Sequence, residues 1–513
     1  MRVNIGQILA NRARRDPNLE GLVDVAAGQR FTYAEANARV NKCASMLASI
    51  CVQPGDRVAL LLMNGTPFFE AYFACAKIGA VAVPLNWRLV PDELSYILDN
   101  AGAKTLIFDT EFAPQVEAVH AGGQTQLSNW LQVPGDAPLA PFAHNYTAMA
   151  EAGSEAEPEP GAFDDDNLYI MYTSGTTGLP KGVVHTHNTT LAALQTMMPT
   201  VDFRIGDRFS IVLPLFHVGA LAPLLSIVYG GGTNVLMRAF DPVGMWKITV
   251  EEKITATLAV PAMLSFMLQV PMPPREDYSQ LRWIMSGAAP VPVALMEQYR
   301  DIGIEIHQVY GLTECCGPGC LISPQDAMQR IGSTGKAFFH TEARLVDPDG
   351  NDVPSDTPGE VLLRGGHIMK EYWNNPKATA ETVRDGWLHT GDLAVMDADG
   401  FITIQDRIKD MIISGGENVY PAEIENVVLA HEGVKECAVI GIPSERWGES
   451  PLVVAVRVDD SVTEDDVLKH CDGKLARYKQ PKGAVFVETI PRNPSGKALK
   501  FELRKQFPGP ARE

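Results

Sequence analysis

Short apolar runs recur along most of the chain, at residues 58–63, 80–83, 105–108, 168–172, 211–213, 234–236, 257–260 and 304–309. Each reads as a strand. Between the first two, residues 68–78 carry apolar side chains at helical spacing after an Asn64-Gly65 turn. Strands alternating with helices predict α/β layers with largely parallel sheets. No fixed repeat period is present. The acidic, Pro-rich stretch 155–166 runs directly into the strand at 168, so it is expected to be a surface connection rather than a domain break.

The pattern changes near residues 406–410. Beyond them come a helix-like segment (421–430), strands at 438–440 and 452–458, a second helix-like segment (462–475) and a strand at 485–487. The expected organisation is multidomain α/β. A large N-terminal domain (1–408) has layered, mostly parallel sheets and helices, and a small C-terminal α+β domain (409–513) follows.

Composition narrows the function. The chain has 513 residues, 46% hydrophobic and 20% charged, with a net charge of −19, which argues against a nucleic-acid partner. The apolar stretch 218–229 is too short to span a bilayer and contains Pro223. No signal peptide is evident in residues 1–9. None of the 8 cysteines has C-x-x-C spacing, so reduced thiols in the cytoplasm are expected. Cys315, Cys316 and Cys320 cluster, but no His follows at ligand spacing for zinc. His185 and His187 read as loop histidines. A homodimer and peripheral contact with a membrane surface stay open.

Segment 172–182, Tyr-Thr-Ser-Gly-Thr-Thr-Gly-Leu-Pro-Lys-Gly, follows a strand and suits phosphate. Its glycines allow close backbone approach, and successive N–H groups with Thr173, Ser174, Thr176 and Thr177 form an anion cradle. Lys181 adds positive charge. The spacing is neither a Walker loop nor a dinucleotide fingerprint. By composition alone, a surface linker explains it about as well.

The order of residues resembles the phosphate loop of the adenylate-forming superfamily, which contains acyl-CoA synthetases, luciferases and peptide-synthetase adenylation domains. Further motifs follow in that family's order. Pro214-Leu-Phe-His-Val resembles the aromatic motif at the acyl pocket, with His217 bordering the carboxylate. Amino-acid adenylation domains usually place an Asp after this Phe; His217 and Val218 stand here instead, which argues against an amino-acid substrate. Ser286-Gly-Ala-Ala-Pro resembles the adenine-binding turn, with Gly287 and Ala288 against the base. Gln308-Val-Tyr-Gly-Leu-Thr-Glu resembles the next motif. The resemblance implies that Tyr310, with Gln308 and Gly311, borders adenine, that Thr313 contacts the α-phosphate and that Glu314 holds Mg²⁺.

Gly386-Trp-Leu-His-Thr-Gly-Asp resembles the motif whose Asp, here Asp392, grips the ribose hydroxyls. Asp406-Arg-Ile-Lys-Asp resembles the end of the large domain, with Arg407 on ribose or phosphate and Lys409 as hinge. Gly415 and Gly416 match the segment that admits the pantetheine arm of CoA, and Lys497, in Pro491-Arg-Asn-Pro-Ser-Gly-Lys, matches the catalytic lysine. Gly175 and Gly178 complete the phosphate loop.

The resemblance covers essentially the whole chain and is nearest to bacterial fatty-acyl-CoA ligases. It implies two steps: a carboxylate and Mg·ATP give acyl-adenylate and pyrophosphate, then CoA takes the acyl group and AMP leaves. Rotation of a mobile small domain would separate them. Medium- or long-chain fatty acids are expected, with aryl acids or a carrier-protein acceptor as alternatives. A non-catalytic nucleotide-binding regulator would be expected to have lost Lys497 or the loop, and both are intact.

Overall fold

The computed structural model describes residues 2–173, 180–288, 291–323, 325–327, 329–407, 410–414, 417–444, 447–472, 474–475, 479–492 and 497–509. Among these, two large sheets organise the first part of the chain. One has nine strands in the order Lys336–Ala337, Cys320–Leu321, Glu305–Tyr310, Trp283–Ser286, Ala256–Leu258, Arg208–Ile211, Thr233–Leu236, Glu20–Asp24 and Gln29–Thr32. Its six inner strands run parallel and its outer ones antiparallel. The other has eight strands and is parallel from Asn167–Thr173 through Val81–Pro84, Arg57–Leu61 and Ala103–Asp109 to His144–Asn145. The expectation of parallel layers holds here.

Side-chain alternation explains the layering. In the strand Arg57–Leu61 and just past it, Val58, Leu60 and Leu62 face a core shared with the nine-stranded sheet. Ala59, Leu61 and Met63 face the opposite way, into a core built with the helices Pro91–Ala101 and Ala113–Gly122. Successive residues of a strand must do this, so a strand covered on both faces reads as a continuous apolar run. The shared core also holds the helices Tyr33–Ser49, Thr66–Ile78, His187–Met197 and Val218–Gly230 between the sheets. Val218–Gly230 is apolar nearly all round because it is covered nearly all round. No described helix is long and apolar enough to cross a membrane.

The third sheet was not anticipated. Glu342–Val346, Gly359–Arg364, Trp387–Met396, Val383–Arg384 and Ile402–Arg407 pair antiparallel. Trp387–Met396 alternates buried and half-buried positions, a pattern that has no long apolar run to announce it. A fourth sheet, centred on Val434–Ser444 and Gly448–Arg457, is covered by the helices Pro421–Leu429 and Glu464–Cys471 on one face and by Lys500–Gln506 on the other. The stretch 155–166 is a surface connection, as expected. It is anchored through Glu157, whose Oε1 lies 2.6 Å from Nζ of fully buried Lys77.

Candidate active site

The strands Trp283–Ser286 and Glu305–Tyr310 are parallel neighbours, with Ser286 opposite Gln308. Their carboxyl ends deliver Gly287 and Ala288 beside Gln308, Val309 and Tyr310. A crevice at strand carboxyl ends is where open α/β sheets bind ligands. Backbone approach is close: a side chain on Gly287 would strike the Val309 carbonyl, and one on Gly311 would strike the Gly317 carbonyl. Ala288 adopts a left-handed φ of 67°.

Two cavities meet here. The smaller, about 460 Å³, is lined by Gln308, Tyr310, Thr334 and Asp392. The larger, about 600 Å³, takes in Thr173, Lys181, His217, Gly287, Thr313 and Glu314. Ala288, Val309, Gly311 and Lys497 border both. Residues separated by more than 300 positions in the sequence, Thr173 and Lys497, therefore line one space. The larger cavity's lining also holds an apolar group, Met197, Val201, Phe203, Leu213, Leu258 and Phe338, which packs in one hydrophobic cluster.

The polar groups are held in place. Tyr310 O–H donates to Asp392 Oδ2 at 2.7 Å, and Gln308 Nε2 donates to the Ser333 carbonyl at 3.2 Å. Asp392 lies opposite Arg407 in strand register. The strands Asn167–Thr173 and Lys181–Thr186 pair antiparallel up to Thr173 and Lys181, so both ends of the expected phosphate loop are fixed across from each other. Ser174, Gly175, Thr176, Thr177 and Gly178 lie outside the described residues, as do Lys409, Gly415, Gly416 and the Arg407 side chain.

Two supporting residues were missed in the sequence. Tyr372 O–H donates to Glu314 Oε1 at 2.7 Å, and its ring centroid lies 4.9 Å from Lys181 Nζ, so one side chain positions both. His185 and His187 are not loop residues: one lies within the strand Lys181–Thr186, the other starts a helix, and both are buried. His185 Nε2 lies 2.7 Å from the Thr313 carbonyl, while Nδ1 faces the Thr189 hydroxyl at 3.2 Å. A carbonyl only accepts, so Nε2 carries the proton. Burial pushes His185 down to about 4, which keeps it neutral as it holds the Thr313 turn. The signal for these residues was spatial; no local motif contains them.

His217 caps the helix Val218–Gly230 in position but makes no side-chain capping bond. Its Nε2 is buried with no partner among the described residues, and burial, reinforced by the positive charge of Arg88, pushes the ring down to about 4. A buried ring nitrogen without a partner on a cavity wall is a place for a ligand oxygen. The cysteine cluster has a packing role instead. Burial pushes Cys315 up to about 12 and Cys316 up to about 11, so both stay protonated thiols, and no group of described residues could hold a metal unaided.

The two cavities share Ala288, Val309, Gly311, Lys497 and Lys500 in their linings, so the polar groups around Asp392 and the apolar residues around Met197 belong to adjoining spaces. Residues 9–373 match the family model of the AMP-binding enzymes, and residues 423–497 match the AMP-binding enzyme C-terminal domain. The chain belongs to the AMP-binding enzyme family. Within it, this is an AMP-forming acyl-CoA synthetase, with ATP, a carboxylic acid and CoA as substrates. It is 42% identical over 506 residues to the long-chain-fatty-acid–CoA ligase FadD13 of Mycobacterium tuberculosis, covering 98% of each chain. It is 40% identical to the feruloyl-CoA synthase of an Amycolatopsis species, covering 98% of this chain and 99% of that one. The structure of the anthranilate CoA ligase AuaEII in complex with anthranoyl-AMP superposes with a TM-score of 0.92 at 27% identity, covering 99% and 98% of the two chains.

Proposed function

We propose that the acid is a medium- or long-chain fatty acid, and that the residues gathered above divide the reaction between them. One observation carries the reading. One cavity has in its lining both Lys181, Thr313, Glu314, Lys497 and His217 and an apolar group, Met197, Val201, Phe203 and Phe338, that packs in one hydrophobic cluster. The apolar group offers no charge to a polar tail, and His217 in the same lining is neutral. An alkyl chain gains about 0.8 kcal/mol per buried CH₂ in such a place.

In the first step the carboxylate oxygen attacks the α-phosphorus, the bond from that phosphorus to the bridging oxygen of pyrophosphate breaks, and acyl-adenylate forms. Carboxylates are ionised at pH 7, so no base is needed. His217, in the tautomer with a proton on Nε2, donates to the carboxylate. Lys497, Thr313, Lys181 and the phosphate loop stabilise developing charge on phosphate. Asp392, fixed by Tyr310, accepts from the ribose hydroxyls with Arg407 nearby, and Gln308, Gly287, Ala288 and Gly311 border the base.

Glu314 suits Mg²⁺: Tyr372 occupies Oε1, Oε2 has no partner among the described residues, and one carboxylate plus phosphate oxygens is the donor set this ion prefers. When bound, the ion would neutralise charge on the phosphates. In the second step the CoA sulfur attacks the acyl carbonyl, the thiol proton is lost and AMP leaves. We assign the boundary to 408/409, with Lys409 as hinge and Gly415 and Gly416 beside the pantetheine arm. Reduced thiols, buried except at Cys51, support a cytoplasmic setting.

The near-equal identity to a feruloyl-CoA synthase favours an aryl acid as the second reading. Pyrophosphate release over a panel from hexanoate to stearate, with benzoate and ferulate, separates the two. Fatty acids should show the higher kcat/KM. Preference for ferulate would overturn the fatty-acid reading and leave the ligase intact. Replacing free CoA by acyl-carrier protein in the second step tests the acceptor.

A further inference from the structure

Residues 198–207 join the helix His187–Met197 to the strand Arg208–Ile211 and place Val201 and Phe203 among the apolar residues that line the larger cavity. The loop is held from both sides. On the inner side, the Phe203 ring centroid lies 6.0 Å from those of Phe209 and Trp283. On the outer side stands Arg282, the residue before Trp283, which is not part of the cavity lining.

Arg282 grips the loop with most of its donors. Nη1 donates to Asp207 Oδ1 at 2.7 Å and Nη2 to Asp207 Oδ2 at 2.9 Å. Nε donates to Asp202 Oδ2 at 3.2 Å, and Nη2 also donates to the Asp202 carbonyl at 2.8 Å. Asp207 is itself fixed: its side chain is 3% exposed and accepts the Arg204 N–H at 2.7 Å and the Thr255 O–H at 2.9 Å. The two aspartates bracket Phe203, and Asp202 directly follows Val201. A planar fork across both fixes where those two side chains stand, which a single ammonium cannot reproduce.

We propose that Arg282 is a positioning residue for acyl selectivity. From outside the cavity, it clamps residues 198–207 so that Val201 and Phe203 form a fixed wall against which the tail of the acid is measured. This rests on the reading that the apolar part of the cavity lining receives that tail. No atom of Arg282 touches substrate in this scheme, and the nucleotide crevice lies elsewhere, so the clamp should act on the acid and leave ATP alone.

The test is acid-dependent pyrophosphate release by the full chain, with hexanoate through stearate, for Arg282→Met, Arg282→Lys, Asp202→Asn and Val201→Trp. Arg282→Met should raise KM for the preferred acid about tenfold and flatten the chain-length profile, with kcat and the KM for ATP within about twofold. Arg282→Lys should recover part of the profile. Asp202→Asn removes one half-exposed arm and should shift the profile the same way by a smaller factor, which keeps the question answerable if Arg282→Met does not fold. Equal losses for every acid, a matching rise in the KM for ATP, or an unchanged profile in Asp202→Asn would overturn the clamp. Val201→Trp separates the two levels. If it shifts the profile and the clamp variants do not, only the clamp fails. If it too changes nothing, the tail reading fails.

Discussion

The two ends of the active-site space are built differently. The proposed nucleotide end is made by backbone: the carboxyl ends of two adjacent parallel strands, glycines at contact with neighbouring carbonyls, and polar side chains tied to each other, such as Tyr310 to Asp392. The proposed tail end is made by side chains drawn from separate elements between Met197 and Phe338. Backbone cannot be changed one residue at a time, whereas apolar side chains of a wall can be exchanged at modest cost. Relatives named for a fatty acid and for feruloyl-CoA stand at 42% and 40% identity, so overall identity does not choose between the two substrate classes. The tail end is where that choice has to be made.

The sharpest way to break this contrast is at the junction. Lys497→Ala should lower acid-dependent pyrophosphate release by about 10²–10³-fold, the usual effect of losing one preorganised charge stabiliser. It should still convert supplied acyl-adenylate to acyl-CoA. Equal collapse of both half-reactions in a folded protein would remove the division of labour. Tyr310→Phe is the next largest. It deletes the 2.7 Å hydrogen bond to Asp392 and keeps the ring, so the KM for ATP should rise about tenfold, the value of a bond to a charged acceptor, with the acid profile unchanged. An altered acid profile would mean that the two ends are not separable.

At the tail end, Ala222→Phe should do the reverse. Ala222 lines the cavity, and a Cβ built on Gly317 would stand 3.3 Å from its own Cβ, so the wall is narrow there. A phenyl ring should favour shorter acids over longer ones by about tenfold in kcat/KM and leave the KM for ATP in place. The same loss for all acids would show that Ala222 supports the fold and does not select.

Legibility in the sequence follows the same divide. The glycines and polar residues proposed to meet the nucleotide stand together in short segments, so Gly287, Tyr310, Thr313, Glu314 and Asp392 could be named from their motifs, and the fold gathers them in the linings of two adjoining cavities. Strands covered on both faces were legible as apolar runs, and 58–63 is the clearest case. Tyr372 and His185 were not legible, because each acts through one hydrogen bond to a residue far along the chain, Glu314 and Thr313 respectively. The half-covered antiparallel strand Trp387–Met396 lacked a continuous apolar run. The tail wall was least legible: helix and loop residues such as Met197 and Val201 become neighbours of Phe338 only through the tertiary fold.

The smallest expected effect concerns the buried histidine in the lining of the larger cavity. His217 is pushed from its ordinary value of 6.5 down to about 4, so it is already neutral above pH 6.5. The acid kcat/KM should therefore change by less than about twofold between pH 8 and 6.5, because no charge on this ring is lost or gained there. Stability behaves otherwise. His185, His187 and His367 are likewise pushed down to about 4 by burial. In the unfolded chain these rings bind protons near pH 6.5, whereas in the folded chain they do so only near 4. Between those values the unfolded state holds more protons, so stability rises with pH. The contribution is complete above pH 6.5 and is lost as pH falls toward 4. Melting temperature should therefore be level from pH 8 to 7 and decline below about 6.5, with the acid profile of the folded enzyme unaltered in the upper range. An activity step near pH 6.5 at constant melting temperature would mean that His217 titrates in the open cavity, and its Nε2 would then be a solvent-facing group and no longer the neutral partner of a carboxylate.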